Sequence, residues 1–150
     1  MFIRNNVRGI IYDIVDNEYC FLLIKARKGY WQNPQGGRKE LTGQLRKTEG
    51  EIEALLRETS QKTGLDNLIV YPQTRSMIEY DAPRKGEHWH IKLSAYAVKT
   101  DSKQKIILSK KEGHTSYAWV DYNTALEMLD NYPEPIIIFK EVVEKLKQIN

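Results

Sequence analysis

Trp31-Gln32-Asn33-Pro34-Gln35-Gly36-Gly37 and, a short way on, Thr48-Glu49-Gly50-Glu51 with Arg57-Glu58-Thr59-Ser60-Gln61-Lys62-Thr63-Gly64-Leu65 are the stretches on which the fold turns. The first lies in a segment, Arg27 to Lys47, that carries Gly29, Pro34, Gly36, Gly37 and Gly43, a density that excludes regular helix. The second opens like a capping box, with Thr48 as N-cap and Glu51 reaching back to it. Ile52, Leu55, Leu56, Thr59 and Thr63 then recur at helical spacing and predict a buried stripe, which Gly64 ends in the usual C′ position.

Working outward, Val7 to Val15 and Tyr19 to Ala26 are rich in Ile, Val, Tyr and Phe and predict two strands joined by a turn at Asp16-Asn17-Glu18. Downstream, Leu68 to Tyr71, Arg75 to Tyr80 and Glu87 to Lys99 predict further strands, the last two joined through Pro83 and Gly86. Ile106 to Leu108 and Ser116 to Val120 are short strand candidates, and Thr124 to Asp130 a short helix. Pro135 opens a final helix with Ile136, Phe139, Val142, Val143 and Leu146 on its apolar face. The order is that of an α/β fold, a mixed sheet with helices on its faces and without a doubly wound rhythm. No repeat or linker divides residues 1–150, so one domain is expected.

The glycine loop and the helix together resemble the Nudix box, and the resemblance covers roughly the whole chain, including a late Tyr117-to-Val120 segment before two helices. It implies an α/β/α sandwich with a mixed sheet. It also implies cleavage of a diphosphate linked to another moiety with Mg²⁺ or Mn²⁺, ions that want carboxylate and phosphate oxygens. Trp31-Gln32-x-Pro34-Gln35-Gly36-Gly37 is similar to the loop of dinucleoside-polyphosphate hydrolases and RNA 5′-pyrophosphohydrolases, so a nucleotide or an RNA 5′ end is the partner implied. Arg57 and Glu58 match the family's Arg-Glu pair, and Gly64 and Leu65 its closing residues. Gln61 and Lys62 stand where the family has paired glutamates. Gly43 and Glu49 satisfy the literal spacing, yet the family glycine belongs with Gly36-Gly37, which implies an inserted loop.

Glu51 and Glu58 are seven residues apart and share a helix face, with Lys62 a further turn along. In one reading Glu58 and Arg57 are catalytic, and Glu58, Glu51 and Glu112 hold metal with help from Glu40 or Glu79. In the other, Glu51 serves the cap, Glu58 and Lys62 form a surface ion pair, and Arg57 is kept to orient the loop. A third reading makes the Lys62 ammonium a fixed phosphate-binding charge in the metal's place. Trp31 either stacks on a base or plugs the core edge, while Gly36 and Gly37 either let backbone N–H groups approach phosphate or merely turn the chain. His88 and His90, two apart in a strand, share a side and are candidate substrate contacts; zinc with His114 is a weaker alternative, and Trp89 is expected in the core. The choice is therefore between a metal-dependent Nudix-type hydrolase and an inactive domain of that fold that binds a nucleotide or a protein.

The bulk composition agrees. A net charge of +3, spread along 150 residues, suits an anionic ligand and falls short of a nucleic-acid-binding stripe. There is no apolar run long enough for a membrane span and no secretory signal at the start, and the lone Cys20, expected to be buried, suits a reducing compartment. Cytoplasmic residence is the expectation.

Overall fold

A computed structural model describes residues 2–37, 50–84, 86–130 and 133–149. Thr48, Glu40, Gly43 and Glu49 lie outside the described residues, as does the side chain of Glu112. Strand β1 (Phe2–Val15) enters strand β2 (Glu18–Lys25) through Asp16 and Asn17, with φ of 53° and 65°. Two successive left-handed residues give the turn whose twist matches a hairpin, and Asp and Asn tolerate it better than most side chains. Within the glycine-rich segment, β3 (Trp31–Gln32) pairs with β2, and β4 (Gln35–Gly37) pairs with β1.

Strand β5 (Ile69–Arg84) unites the two expected strands Leu68–Tyr71 and Arg75–Tyr80 and pairs with β6 (Glu87–Lys99). The register shifts between Tyr71 and Ser76, where Pro72 has no N–H to offer. Thr74 covers the gap: its hydroxyl donates to the Tyr71 carbonyl (2.6 Å) and accepts from the Ala97 N–H (2.8 Å). The sheet runs β3-β2-β1-β6-β5, with β1 and β6 parallel, β4 beside β1, and β7 (Tyr117–Val120) beside β2.

Alternation along β1 sorts its side chains. Ile10 and Tyr12, with Phe21, Leu23, Ala95 and Ala97, pack beneath α2 (Tyr122–Met128) and α3 (Pro133–Ile149). Val7 and Ile11, with Leu22, Tyr96 and Val98, pack beneath α1 (Glu51–Thr63). The result is the expected α/β/α arrangement on a mixed sheet. Gly9 lets α1 sit close, since a Cβ there would stand 3.3 Å from Leu55 Cδ1 and 3.4 Å from Thr59 Oγ1.

Several expectations are corrected. The N-cap of α1 is Gly50, with no side-chain cap bond, and the Glu51 carboxylate is engaged by Arg75 of the sheet below, while the expected capping box with Thr48 lies outside the described residues. Ile52 is 37% exposed, and the covered face runs instead through Ala54, Leu55, Thr59, Lys62 and Thr63. Ile106–Leu108 is not a strand: its backbone closes the end of α1, with the Ile107 N–H donating to the Thr63 carbonyl (2.8 Å). Gly64, at φ 72°, is required there twice over, because a Cβ would also lie 2.9 Å from Ile107 Cβ. The last helix begins at Pro133 rather than Pro135, and Trp89 and Cys20 are half-buried rather than core. Among the described residues no helix is long and apolar enough to cross a membrane.

Candidate functional site

Arg8 shares the parity of Ile10 and Tyr12, so a guanidinium points to the apolar α3 side of the sheet. It is held there by two partners. Nη1 meets Glu134 Oε1 in the first turn of α3 at 2.6 Å, and Nε donates to Gln35 Oε1 of β4 at 2.8 Å. The Arg8 side chain is only 6% exposed, so these charge-assisted bonds replace its lost hydration.

This network floors a cleft of about 570 Å³. Trp31 and Asn33 line one side, and Tyr80, Asp81 and Pro83 the other. Burial and the nearby Glu134 carboxylate push the Tyr80 phenol up from its ordinary pKa. Trp31 packs against the core beneath α3 and also lines the cleft, with Lys25 Nζ 5.9 Å from its ring centre. Gly36 and Gly37 continue the strand that begins at Gln35, and α1 packs against that strand, so β4 runs between the cleft and the helix.

The helix face itself is built from charges that answer one another. Glu51 accepts from Arg75 Nε (2.8 Å) and Nη2 (3.0 Å), Ser94 Oγ (3.1 Å) and Tyr96 OH (2.5 Å). The Arg75 bonds, then those from Tyr96 and Ser94, hold its pKa down at about 2 against the opposing effect of burial. Burial, then the Glu51 carboxylate, push Tyr96 up to about 12. Glu58 is met by Arg57 Nη1 at 2.8 Å and by Lys62 Nζ at 3.6 Å. The expected surface pair of Glu58 and Lys62 is therefore a largely covered one, at 12% and 10% side-chain exposure. Arg57 also reaches Gln61 Oε1 at 3.4 Å.

Among the described residues this arrangement does not fit a divalent cation. A carboxylate offers about four lone-pair sites, and the donors on Glu51 already number four. Glu58 is shared by two cations, so Arg57, Lys62 and Arg75 outweigh Glu51 and Glu58. Among the described residues no group of three His, Cys, Asp or Glu is placed to hold a metal. His88 and His90 sit instead on the β5–β6 hairpin. His90 Nδ1 lies 2.8 Å from Asp81 Oδ1 and Nε2 3.5 Å from Glu79, while His88 Nε2 lies 3.8 Å from Asp81. The hydrogen bond raises the His90 pKa and lowers that of Asp81. The histidines thus touch the cleft through Asp81, one of its lining residues. His114 is 7% exposed in the segment after a 3₁₀ turn at Lys110–Glu112.

Arg8, Tyr80, Asp81 and Glu134 are cleft residues that sequence reasoning missed. Only Arg8 carried a signal, as a charge sharing the parity of Ile10 and Tyr12 in an apolar strand.

The sequence profile described as the NUDIX domain matches residues 4–139. The chain belongs to this family. Among its relatives in the Nudix family are proteins described as RNA pyrophosphohydrolase. The one from Pelagibacter ubique is 22% identical across 98% of this chain and 93% of its own length. That from Nitratiruptor sp. is 28% identical across 97% and 94%. Among solved structures, the Nudix chain superposes on the C. elegans Ap4A hydrolase binary complex with a TM-score of 0.76 at 21% identity, covering 97% of this chain and 98% of that one. Likeness at that identity supports the fold.

Proposed function

We propose that this Nudix chain acts as a pyrophosphohydrolase on a nucleoside diphosphate-linked substrate, a nucleoside triphosphate, a dinucleoside polyphosphate or an RNA 5′ end. The cleft between Trp31 and Tyr80, floored by Arg8, is the observation that carries the reading. Its aromatic wall suits a base, and its cationic floor suits a neighbouring phosphate. Relatives described as RNA pyrophosphohydrolases support the reaction class. In this reading Glu58 is the main carboxylate and Arg57 orients it, across 2.8 Å. Gly36 and Gly37 bring backbone N–H groups past the phosphates between cleft and helix. The family generally uses divalent metals, with Mg²⁺ or Mn²⁺ the ions expected, but the described carboxylates of α1 do not make a site for one. One domain spanning the chain, and residence in the cytoplasm, belong to the same proposal.

That mismatch favours a second reading, in which the domain binds the same nucleotides without turning them over, with Lys62 and Arg57 as fixed charges. A panel of nucleoside triphosphates, dinucleoside polyphosphates and 5′-triphosphate RNA, assayed for product release with Mg²⁺, Mn²⁺ or chelator, separates the two. The hydrolase reading expects turnover that Glu58→Gln reduces by about a hundredfold or more. Nucleotide binding without turnover under any condition establishes the second reading, and neither binding nor turnover overturns both.

A further inference from the structure

Arg8 and Glu134 answer each other inside the cleft, but they are not equally tied to that place. The Arg8 side chain is 6% exposed, and Gln35 Oε1 accepts from both its Nε and its Nη2. The Nη1 end of the fork meets Glu134 Oε1 at 2.6 Å. A guanidinium so covered has no route to water and needs an anion at that end whether or not the cleft is filled. Glu134 is 29% exposed and stands in the first turn of α3, where the helix terminus favours a carboxylate even when it turns outward. When the pair opens, Glu134 is the partner that moves.

We infer that Glu134 is a specificity-determining residue of this cleft: its carboxylate holds Arg8 in the position a ligand phosphate takes, and an anion enters by displacing it. The inference rests on the proposal that the cleft seats a nucleotide. A terminal phosphate carries more charge than a carboxylate and more acceptor oxygens, and it engages a guanidinium at two N–H groups at once, so it takes Arg8 over from Glu134. A ligand without phosphate has nothing to exchange and leaves the pair closed. The closed pair lowers the apparent affinity for every phosphate ligand in proportion to the fraction of molecules in which Arg8 is free. At about one molecule in ten, the loss is about tenfold. Glu134 thus sorts ligands by their phosphate and contributes nothing to binding of the nucleoside part.

The test is calorimetric binding of adenosine triphosphate, inorganic tripolyphosphate and adenosine, in chelator, to the wild type, Glu134→Gln and Asp81→Asn. Glu134→Gln keeps the shape of the side chain and removes its charge. It is expected to bind both phosphate ligands about tenfold more tightly and adenosine unchanged. Asp81 lines the same cleft but is 51% exposed and does not touch Arg8, so Asp81→Asn is expected to shift each affinity by less than about threefold. Should Glu134→Gln fail to fold, the wild type alone decides. The carbon resonance of its Glu134 carboxyl is expected to move towards that of a water-exposed glutamate as tripolyphosphate saturates the protein, and a resonance that stays in place overturns the inference. If neither the wild type nor a folded Glu134→Gln binds either phosphate ligand, the cleft reading itself is defeated. Phosphate binding no tighter in Glu134→Gln, or an equal gain in Asp81→Asn, leaves that reading standing and overturns the role of Glu134.

Discussion

Glu51→Ala is expected to lower folding stability by about 2–4 kcal/mol, more than an ordinary first-turn helix residue can contribute. The carboxylate is the acceptor for the Arg75 guanidinium, the Ser94 hydroxyl and the Tyr96 phenol, and Ser94 and Tyr96 are each only 4% exposed. Removing it strands those donors beneath α1 and loosens the helix from β5 and β6. Arg75 is 41% exposed and can return to water, so Arg75→Ala costs less. The pH dependence follows the same group. Its folded pKa is about 2 against an ordinary 4.5, so in acid the unfolded chain binds the proton first. The carboxylate's contribution is therefore complete above about pH 5 and is lost as pH falls towards 2. After allowance for solvent screening it amounts to about 2 kcal/mol. Glu51→Gln keeps the shape, is less stable at pH 7, and flattens that part of the profile. Chemical denaturation of the wild type and the three variants at several pH values checks both statements. A Glu51→Ala protein as stable as the wild type contradicts the role given to this cluster.

The second large effect concerns metal. Changing Gln61→Glu and Lys62→Glu together places three carboxylates, with Glu58, at i, i+3 and i+4 on one face of α1. In the wild type Lys62, 8% exposed, neutralises Glu58; in the double variant two covered carboxylates face each other with only Arg57 to offset them. The variant is expected to be destabilised in chelator and rescued by Mn²⁺, by about 2.7 kcal/mol when the ion is a hundredfold above its dissociation constant. Its Mn²⁺ affinity should exceed that of the wild type by about a hundredfold, read from the loss of the free-ion signal in electron paramagnetic resonance. Equal Mn²⁺ affinity in the two proteins contradicts the claim that the chain's own cations stand against a metal at this helix.

The strands and α1 were legible because periodicity reports burial directly: the alternation in Val7–Val15 and the spacing ending at Gly64 both survive in the fold. Periodicity also placed Glu51, Glu58 and Lys62 on one side of α1. It could not say that this side faces the protein, because that depends on Arg75, Ser94 and Tyr96 arriving from strands that follow in sequence. Hence Ile52, apolar and in phase with Leu55 and Leu56, ended 37% exposed while Lys62 was covered. Three apolar residues at Ile106–Leu108 are too few for a period, and a helix end claimed their backbone. The cleft was the least visible feature, since Arg8 and Glu134 meet across 126 residues and no local pattern joins them.

The most direct test of the nucleotide cleft is equilibrium binding of a nucleoside triphosphate to the wild type and to Trp31→Ala, in chelator and again in Mg²⁺. The expected result is binding in both conditions, weakened by about tenfold or more when the Trp31 ring is removed. Binding that Trp31→Ala leaves unchanged, or no binding under either condition, would contradict it.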